Sequence, residues 1–256
     1  MSSTLSCMKN VKRTNGSRPN VPIYMDAVFI GDRSGSMQSM GDAPQKGVRD
    51  FLEKHKELYE KNGGEIHVTI VTFDDVETVS YSDDISKLTE DDIKKCENDM
   101  RPRNLTKLYD TVIEAIKSQK NRMNGNPEQK MVLSLFTDGE DNVSKNTSKM
   151  MSDAITEHRK CGVICQFLAA NQDAILTGSR YGFSKDNSIQ VTSDPTYGAS
   201  AFQACTASAL RSVTTGEVGF TPLERIASAN DSDRNQGLPR PQGLVRTQCV
   251  NLLQPV

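Results

Sequence analysis

The sequence predicts an α/β protein built on a mostly parallel sheet covered by helices on both faces, and three observations predict it. Strand-like apolar runs alternate with segments of helical period almost throughout. Two of the runs, "AVFIG" before Asp32 and "KMVLSLFT" before Asp138, are largely apolar, as strands buried on both faces are. Each ends in a polar turn, and in sheets of this kind ligands bind outside the carboxyl ends of the strands, so the two turns can meet in space.

The elements follow in order. Residues 22–31 read as a strand bounded by Pro22 and Gly31. From Pro44 a helix is marked by Val48, Phe51, Leu52, His55, Leu58 and Tyr59 on one stripe, and "NGG" stops it. "EIHVTIVTFDD" is a β-branched, alternating strand, and "ETVSY" reads as its antiparallel hairpin partner at a sheet edge. Thr89 with Glu90, Asp91 and Asp92 reads as the cap and acidic first turn of a short helix ending near Cys96. Leu108, Val112, Ala115 and Ile116 share a face of a helix from Leu108 to Ser118. "KMVLSLFTDGEDN" is a buried strand and its turn. A helix from Thr147 to Lys160 carries Met151, Ala154, Ile155 and His158 on one side, with Gly162 as its C-cap. "VICQFLAA", a short helix, "NSIQVT" and a small-residue helix from Tyr197 to Val213 complete the pattern.

The flanks differ in composition. Residues 1–21 carry Lys9, Lys12, Arg13 and Arg18 with no acid, and read as a flexible basic arm; lacking an apolar stretch, it does not read as a secretory signal. Residues 215–256 are rich in Gly, Pro, Ser, Asn and Gln and read as a tail, with "VNLLQPV" apolar enough to dock somewhere. With 31 basic against 33 acidic residues the chain lacks the positive charge of a nucleic-acid binder. No apolar run is long enough to span a bilayer. Cys7, Cys96, Cys161, Cys165, Cys205 and Cys249 show no CxxC or zinc-finger spacing, so an intracellular, reduced state is expected.

Asp32, Ser34 and Ser36 fall at every second position, so an extended backbone would point them to one side. Gly35 is expected to permit a close turn between the serines, and Gly139 a tight backbone after Asp138. Thr106, in "NLTKLYD", sits just before a helix. Three hydroxyls and two carboxylates can then converge. Hard oxygens without His or Cys select Mg²⁺, Mn²⁺ or Ca²⁺ rather than zinc. Two carboxylates leave such an ion partly uncompensated and open, and an acidic group of another molecule is the natural missing ligand. Asp74, Asp75, Asp83 and Asp84 read as solvated loop residues around the edge hairpin; Glu140 and Asp141 can tune the ion or face water.

"DRSGSM", "NLTKLYD" and "TDGEDN", in that order, resemble the metal-ion-dependent adhesion site of von Willebrand factor type A domains: Asp-x-Ser-x-Ser, a distant Thr and a distant Asp. The resemblance covers residues 22–214, and "FLAANQDA" is similar to the stretch after the fifth strand in intracellular bacterial and phage members. It implies a doubly wound, Rossmann-like six-stranded sheet with one antiparallel edge strand. It also implies that Asp32, Ser34, Ser36, Thr106 and Asp138 are the metal residues. The serines would ligate directly, Thr106 directly or through water, and the aspartates often through water.

A non-enzymatic module that captures an acidic side chain of a partner protein through Mg²⁺ is therefore expected. "DRSGS" lacks the G-x-S-x-G elbow, and His55, His67 and His158 lie on inferred helix faces or within a strand, so no triad is suggested. A metal-dependent hydrolase is a weaker alternative, since two-metal hydrolases need more carboxylates. A structural subunit of a larger assembly, for instance a virus particle, docking through its tails, is another.

Overall fold

A computed structural model describes residues 21–123, 125–170, 173–192 and 195–228. The basic arm through residue 20 and the chain from residue 229, on which the assembly-subunit reading depends, lie outside the described residues, as do Cys7 and Cys249.

Six strands form one sheet: β1 (Ile23–Asp32), β2 (Gly64–Phe73), β3 (Glu77–Asp84), β4 (Lys130–Thr137), β5 (Ile164–Ala170) and β6 (Ser188–Val191), in the order β3-β2-β1-β4-β5-β6. Among the described residues only β3 pairs antiparallel, on the outer edge of β2. The helices are α1 (Ala43–Asn62), α2 (Glu90–Asp99), α3 (Leu108–Asn121), α4 (Ser148–Lys160), α5 (Ala174–Arg180), α6 (Pro195–Thr214) and α7 (Pro222–Ser228). This is the doubly wound α/β architecture that the alternation predicts.

The period of two in the strands divides the core in two. On β1, Met25, Ala27 and Phe29 face a cluster with Phe51 and Leu52 of α1, Ile93 and Cys96 of α2 and Phe202 of α6. Val28 and Ile30 face the other way, onto Val112 and Ile116 of α3 and Met151 and Ile155 of α4. Burying each such side chain contributes about 1.5–3 kcal/mol, so both layers are held by the same strand. On the first of these faces Gly47 of α1 admits the close approach of α6: a Cβ there would lie 2.4 Å from the Phe202 ring.

Three local expectations change. The chain after Ser34 is not extended: Gly35–Met40 coil into a 3-10 turn, closed by Met37 N donating to Ser34 O (3.1 Å), because Met37 and Met40 are drawn into the core. α2 continues past Cys96 to Asp99, beginning in a reciprocal cap between Thr89 and Asp92. Residues 215–228, assigned to the tail by composition, pack on the domain. Phe220 is buried, Arg211 Nη2 donates to Glu224 Oε2 at 2.9 Å, and Arg225 donates to the carbonyls of Lys185, Asp186 and Ser188 beside β6. Gly162 lies one residue beyond the α4 C-cap, Cys161, with φ +86°.

Candidate metal centre

β1 and β4 are neighbours, but the strands that follow them, β2 and β5, lie on opposite sides. The loops leaving β1 and β4 therefore part at a crevice, where a doubly wound sheet exposes backbone and side chains to a ligand. Asp32 ends β1, and Thr137 ends β4 with Asp138 next to it.

The side chains meet in a chain of short contacts. Ser36 Oγ donates to Asp138 Oδ1 at 2.7 Å, and Ser34 Oγ lies 3.1 Å from Ser36 Oγ. Behind them, Asp32 Oδ1 accepts from Ser34 N at 2.7 Å and Asp32 Oδ2 from Thr137 Oγ1 at 2.6 Å. Asp138 is thus brought to Asp32, Ser34 and Ser36 although 102 residues separate it from Ser36.

Thr106 is placed differently. It is buried just before α3, and its loop is tied to both others by backbone bonds: Gly35 N donates to Asn104 O (3.1 Å) and Asn142 N to Thr106 O (3.0 Å). Asn142 Oδ1 in turn accepts from Thr106 N at 2.9 Å. Among the described residues no hydrogen bond joins the Thr106 hydroxyl to the serines or aspartates. Gly35 and Gly139 have no positive φ, and a Cβ on Gly35 would meet only Asn104 O at 3.5 Å, so the close-turn role expected of Gly35 is not required by its backbone.

The electrostatics are those of carboxylates short of positive charge. Burial pushes Asp32 up to about 6, against the lowering bonds from Thr137 and Ser34, and the nearby Asp138 charge adds to the rise. Asp138 is raised too, by burial, with the Ser36 hydroxyl working against it. At pH 7 an ionised Asp32 costs the fold roughly 3 kcal/mol.

Several neighbouring acids have other duties. Asp141 accepts from Tyr109 N and Ser144 N and so caps the start of α3. Asp110 closes the same corner by accepting from Lys145 N and Asn146 N. Asp74 is not the solvated residue that its Asp-Asp context suggests. It is 1 % exposed and pairs with Arg33 Nη2 (3.3 Å) and Arg103 Nε (2.7 Å). Only the adjacency of β1 and β2 makes that pairing visible; in the sequence its trace is the arginine inside "DRSGS". His55 and His158 are core residues, both pushed down to about 4 chiefly by burial.

The donor set fits a hard divalent cation. Ser34, Ser36 and Asp138 present linked oxygens, Asp32 stands behind them, and among the described residues no cationic side chain bonds to the cluster. Among the described residues there is no group of three His, Cys, Asp or Glu side chains that could hold a metal, so any site here depends on hydroxyls.

The fold is that of a von Willebrand factor type A domain. It is similar to proximal thread matrix protein 1 of the mussel byssus: TM-score 0.53, 19% identity, covering 75% of this chain and 49% of that one. A second structure of that protein, at TM-score 0.50 and 20% identity over 77% of this chain and 49% of that one, has a zinc-occupied metal-ion-dependent adhesion site motif. The pilus adhesin SpaC of Lactobacillus rhamnosus GG matches at TM-score 0.52 and 14% identity, over 78% of this chain and 30% of its own. The chain thus spans less than half the length of each of these solved chains. No protein-family model matches the sequence, and no curated protein does.

Proposed function

We propose that this protein is a non-enzymatic binding module that captures an acidic side chain of a partner protein through a divalent cation, Mg²⁺ with Mn²⁺ or Ca²⁺ as substitutes. Ser34, Ser36, Thr106 and Asp138 would hold the ion, and Asp32 would orient Ser34 and supply charge from behind. A bound cation would contribute positive charge and an open coordination position facing solvent. The observation that carries the reading is Asp32: fully buried, bonded only by neutral donors and raised to about 6. A second carboxylate, Asp138, shares the same two serines.

The oxygen-only set favours Mg²⁺ over zinc on ligand hardness. The non-enzymatic reading is supported by the histidines, which are engaged elsewhere. His55 Nδ1 contacts Phe51 O, His158 Nε2 contacts Gln119 Oε1, and His67 Nε2 contacts Ser82 Oγ. None is a base for Ser34. Cys96, Cys161, Cys165 and Cys205 are free thiols, which supports placing the module in a reducing, intracellular compartment. Among the described residues no helix is long and apolar enough to cross a membrane.

The test has two parts. Titration calorimetry with Mg²⁺ should show binding that the Ser34→Ala, Ser36→Ala double variant weakens by at least about tenfold. A displayed library of random peptides panned in Mg²⁺ should enrich Asp- and Glu-bearing sequences, with retention lost on adding chelator. Peptide retention indifferent to both chelator and the double substitution sinks the ion bridge.

A further inference from the structure

The residue after Asp32 is an arginine, and where its charge goes decides whether Asp32 is left for a metal. Arg33 is 0 % exposed, and its guanidinium is turned onto the β2–β3 side. Nη1 donates to Thr72 Oγ1 and Asp99 O, both at 3.1 Å. Nη2 donates to Asp74 Oδ1 (3.3 Å), Val76 O (3.3 Å) and Thr78 Oγ1 (2.9 Å). Asp74 is the single carboxylate among these five acceptors, and a buried guanidinium needs one.

Asp74 also holds the loop that carries Thr106. Its Oδ2 accepts from Arg103 Nε (2.7 Å) and from Asn104 Nδ2 (3.3 Å), and its backbone carbonyl accepts from Lys107 N (2.7 Å). Asn104, held this way on one side of Thr106, has a left-handed backbone with φ +56°. Asparagine is one of the few non-glycine residues that adopt that conformation, and the bonds of Asn104 to Asp74 and to Gly35 N fix the loop in it. Arg103 N donates to Arg33 O at 2.7 Å, which closes the circuit back to the β1 loop.

We infer that Asp74 is the positioning residue of the metal centre: it keeps the Arg33 charge off Asp32 and pins the 103–107 loop against the serine loop. The inference rests on the metal-binding reading proposed above. It assigns unequal roles to the two ends of one ion pair. Removing Asp74 frees a cation next to Asp32, where it competes with the metal, and loosens the Thr106 loop. Removing Arg33 does neither, since Arg103 and Asn104 still engage Asp74. A pair that served only the fold would affect the metal equally from either end.

The experiment compares Asp74→Asn, Arg33→Met and the double variant in the full chain, using Mn²⁺ as the probe. Bound ion is read from loss of the free-ion electron paramagnetic resonance signal, with the folded fraction taken from near-UV circular dichroism. Asp74→Asn should weaken Mn²⁺ by about tenfold, as loss of groups that orient metal ligands does. Arg33→Met should stay within about threefold of the parent despite a lower Tm. Asparagine at position 74 keeps one side-chain acceptor for the 103–107 loop and the backbone carbonyl that holds Lys107 N, so Arg33→Met should restore most of the affinity lost in Asp74→Asn. If Asp74→Asn does not fold, the double variant decides, since it lacks both the counter-ion and the competing charge; affinity within about fivefold of the parent supports the inference, and a larger loss overturns it. Equal losses from the two single variants overturn it, as does parental affinity in Asp74→Asn. A parent chain that binds no Mn²⁺ overturns the metal reading and this inference together.

Discussion

Strand β1 carries a buried aspartate near each end, and their surroundings differ in one respect. Asp26, at the amino end of the sheet, meets a cation: its Oδ2 accepts from Arg122 Nε at 2.6 Å and its Oδ1 from Gln119 Nε2 at 2.9 Å. Asp32, at the carboxyl end, is as deeply buried but among the described residues meets only hydroxyls and a backbone N–H. A charge with a built-in counter-ion is part of the fold. A buried charge without one is an unfilled requirement, and its position above the crevice between β1 and β4 makes a cation from solution the natural way to meet it. Asp74, with two arginines, belongs with Asp26.

The contrast can be broken first at the amino end. Asp26→Ala leaves the Arg122 guanidinium without its carboxylate and removes one of the acceptors of Gln119, so it should lower unfolding stability by about 3–5 kcal/mol in urea melts. The loss should be the same in Mg²⁺ and in chelator. A loss that Mg²⁺ repairs would show that the two ends are not separate.

Acid sharpens the comparison next. Gln119 gives its N–H groups to Asp26 and Val132 O, so its Oε1 accepts from His158 Nε2 (2.8 Å), and the imidazole is held neutral. Burial, aided by Lys120, pushes His158 down to about 4 from 6.5, so the stability it lends is complete above pH 6.5 and is lost as pH falls toward 4. Asp32 runs the opposite way, because its folded value lies above the ordinary aspartate value of 3.8. In chelator, His158→Gln should therefore remove roughly 2 kcal/mol of the stability lost between pH 7 and pH 4. An unchanged acid profile would place the titrating group elsewhere.

Much of this was legible in the sequence, for physical reasons that can be named. β4 and β5 are apolar on both faces, and α1 and α4 have clear stripes, so periodicity finds them without tertiary information. Asp32, Ser34, Ser36 and Asp138 stand at strand ends, where residue type and order suffice to associate them. The parts that escaped depend on what lies opposite. The 3-10 turn after Ser34 is set by the burial of Met37 and Met40. α7 holds through Arg211–Glu224 and the carbonyls that Arg225 covers, in a stretch whose composition resembles a linker. Asp26 sits within a mostly apolar strand, and its arginine is supplied by the far end of α3. A charged residue in such a strand is itself the signal that a partner must exist.

The smallest change is the most direct test of the central claim, that Asp32 is a buried charge kept for a metal ion. Thermal melts at pH 7 would compare the parent with Asp32→Asn, each in Mg²⁺ and in chelator. Asparagine keeps the acceptor for Ser34 N, and the Thr137 hydroxyl can turn toward Gly139 O, 3.4 Å away. In chelator Asp32→Asn should therefore be more stable than the parent by about 1–2 kcal/mol. Mg²⁺ should raise the parent's Tm and leave that of the variant where it was. A variant less stable than the parent in chelator, with a parent Tm indifferent to Mg²⁺, would contradict the account.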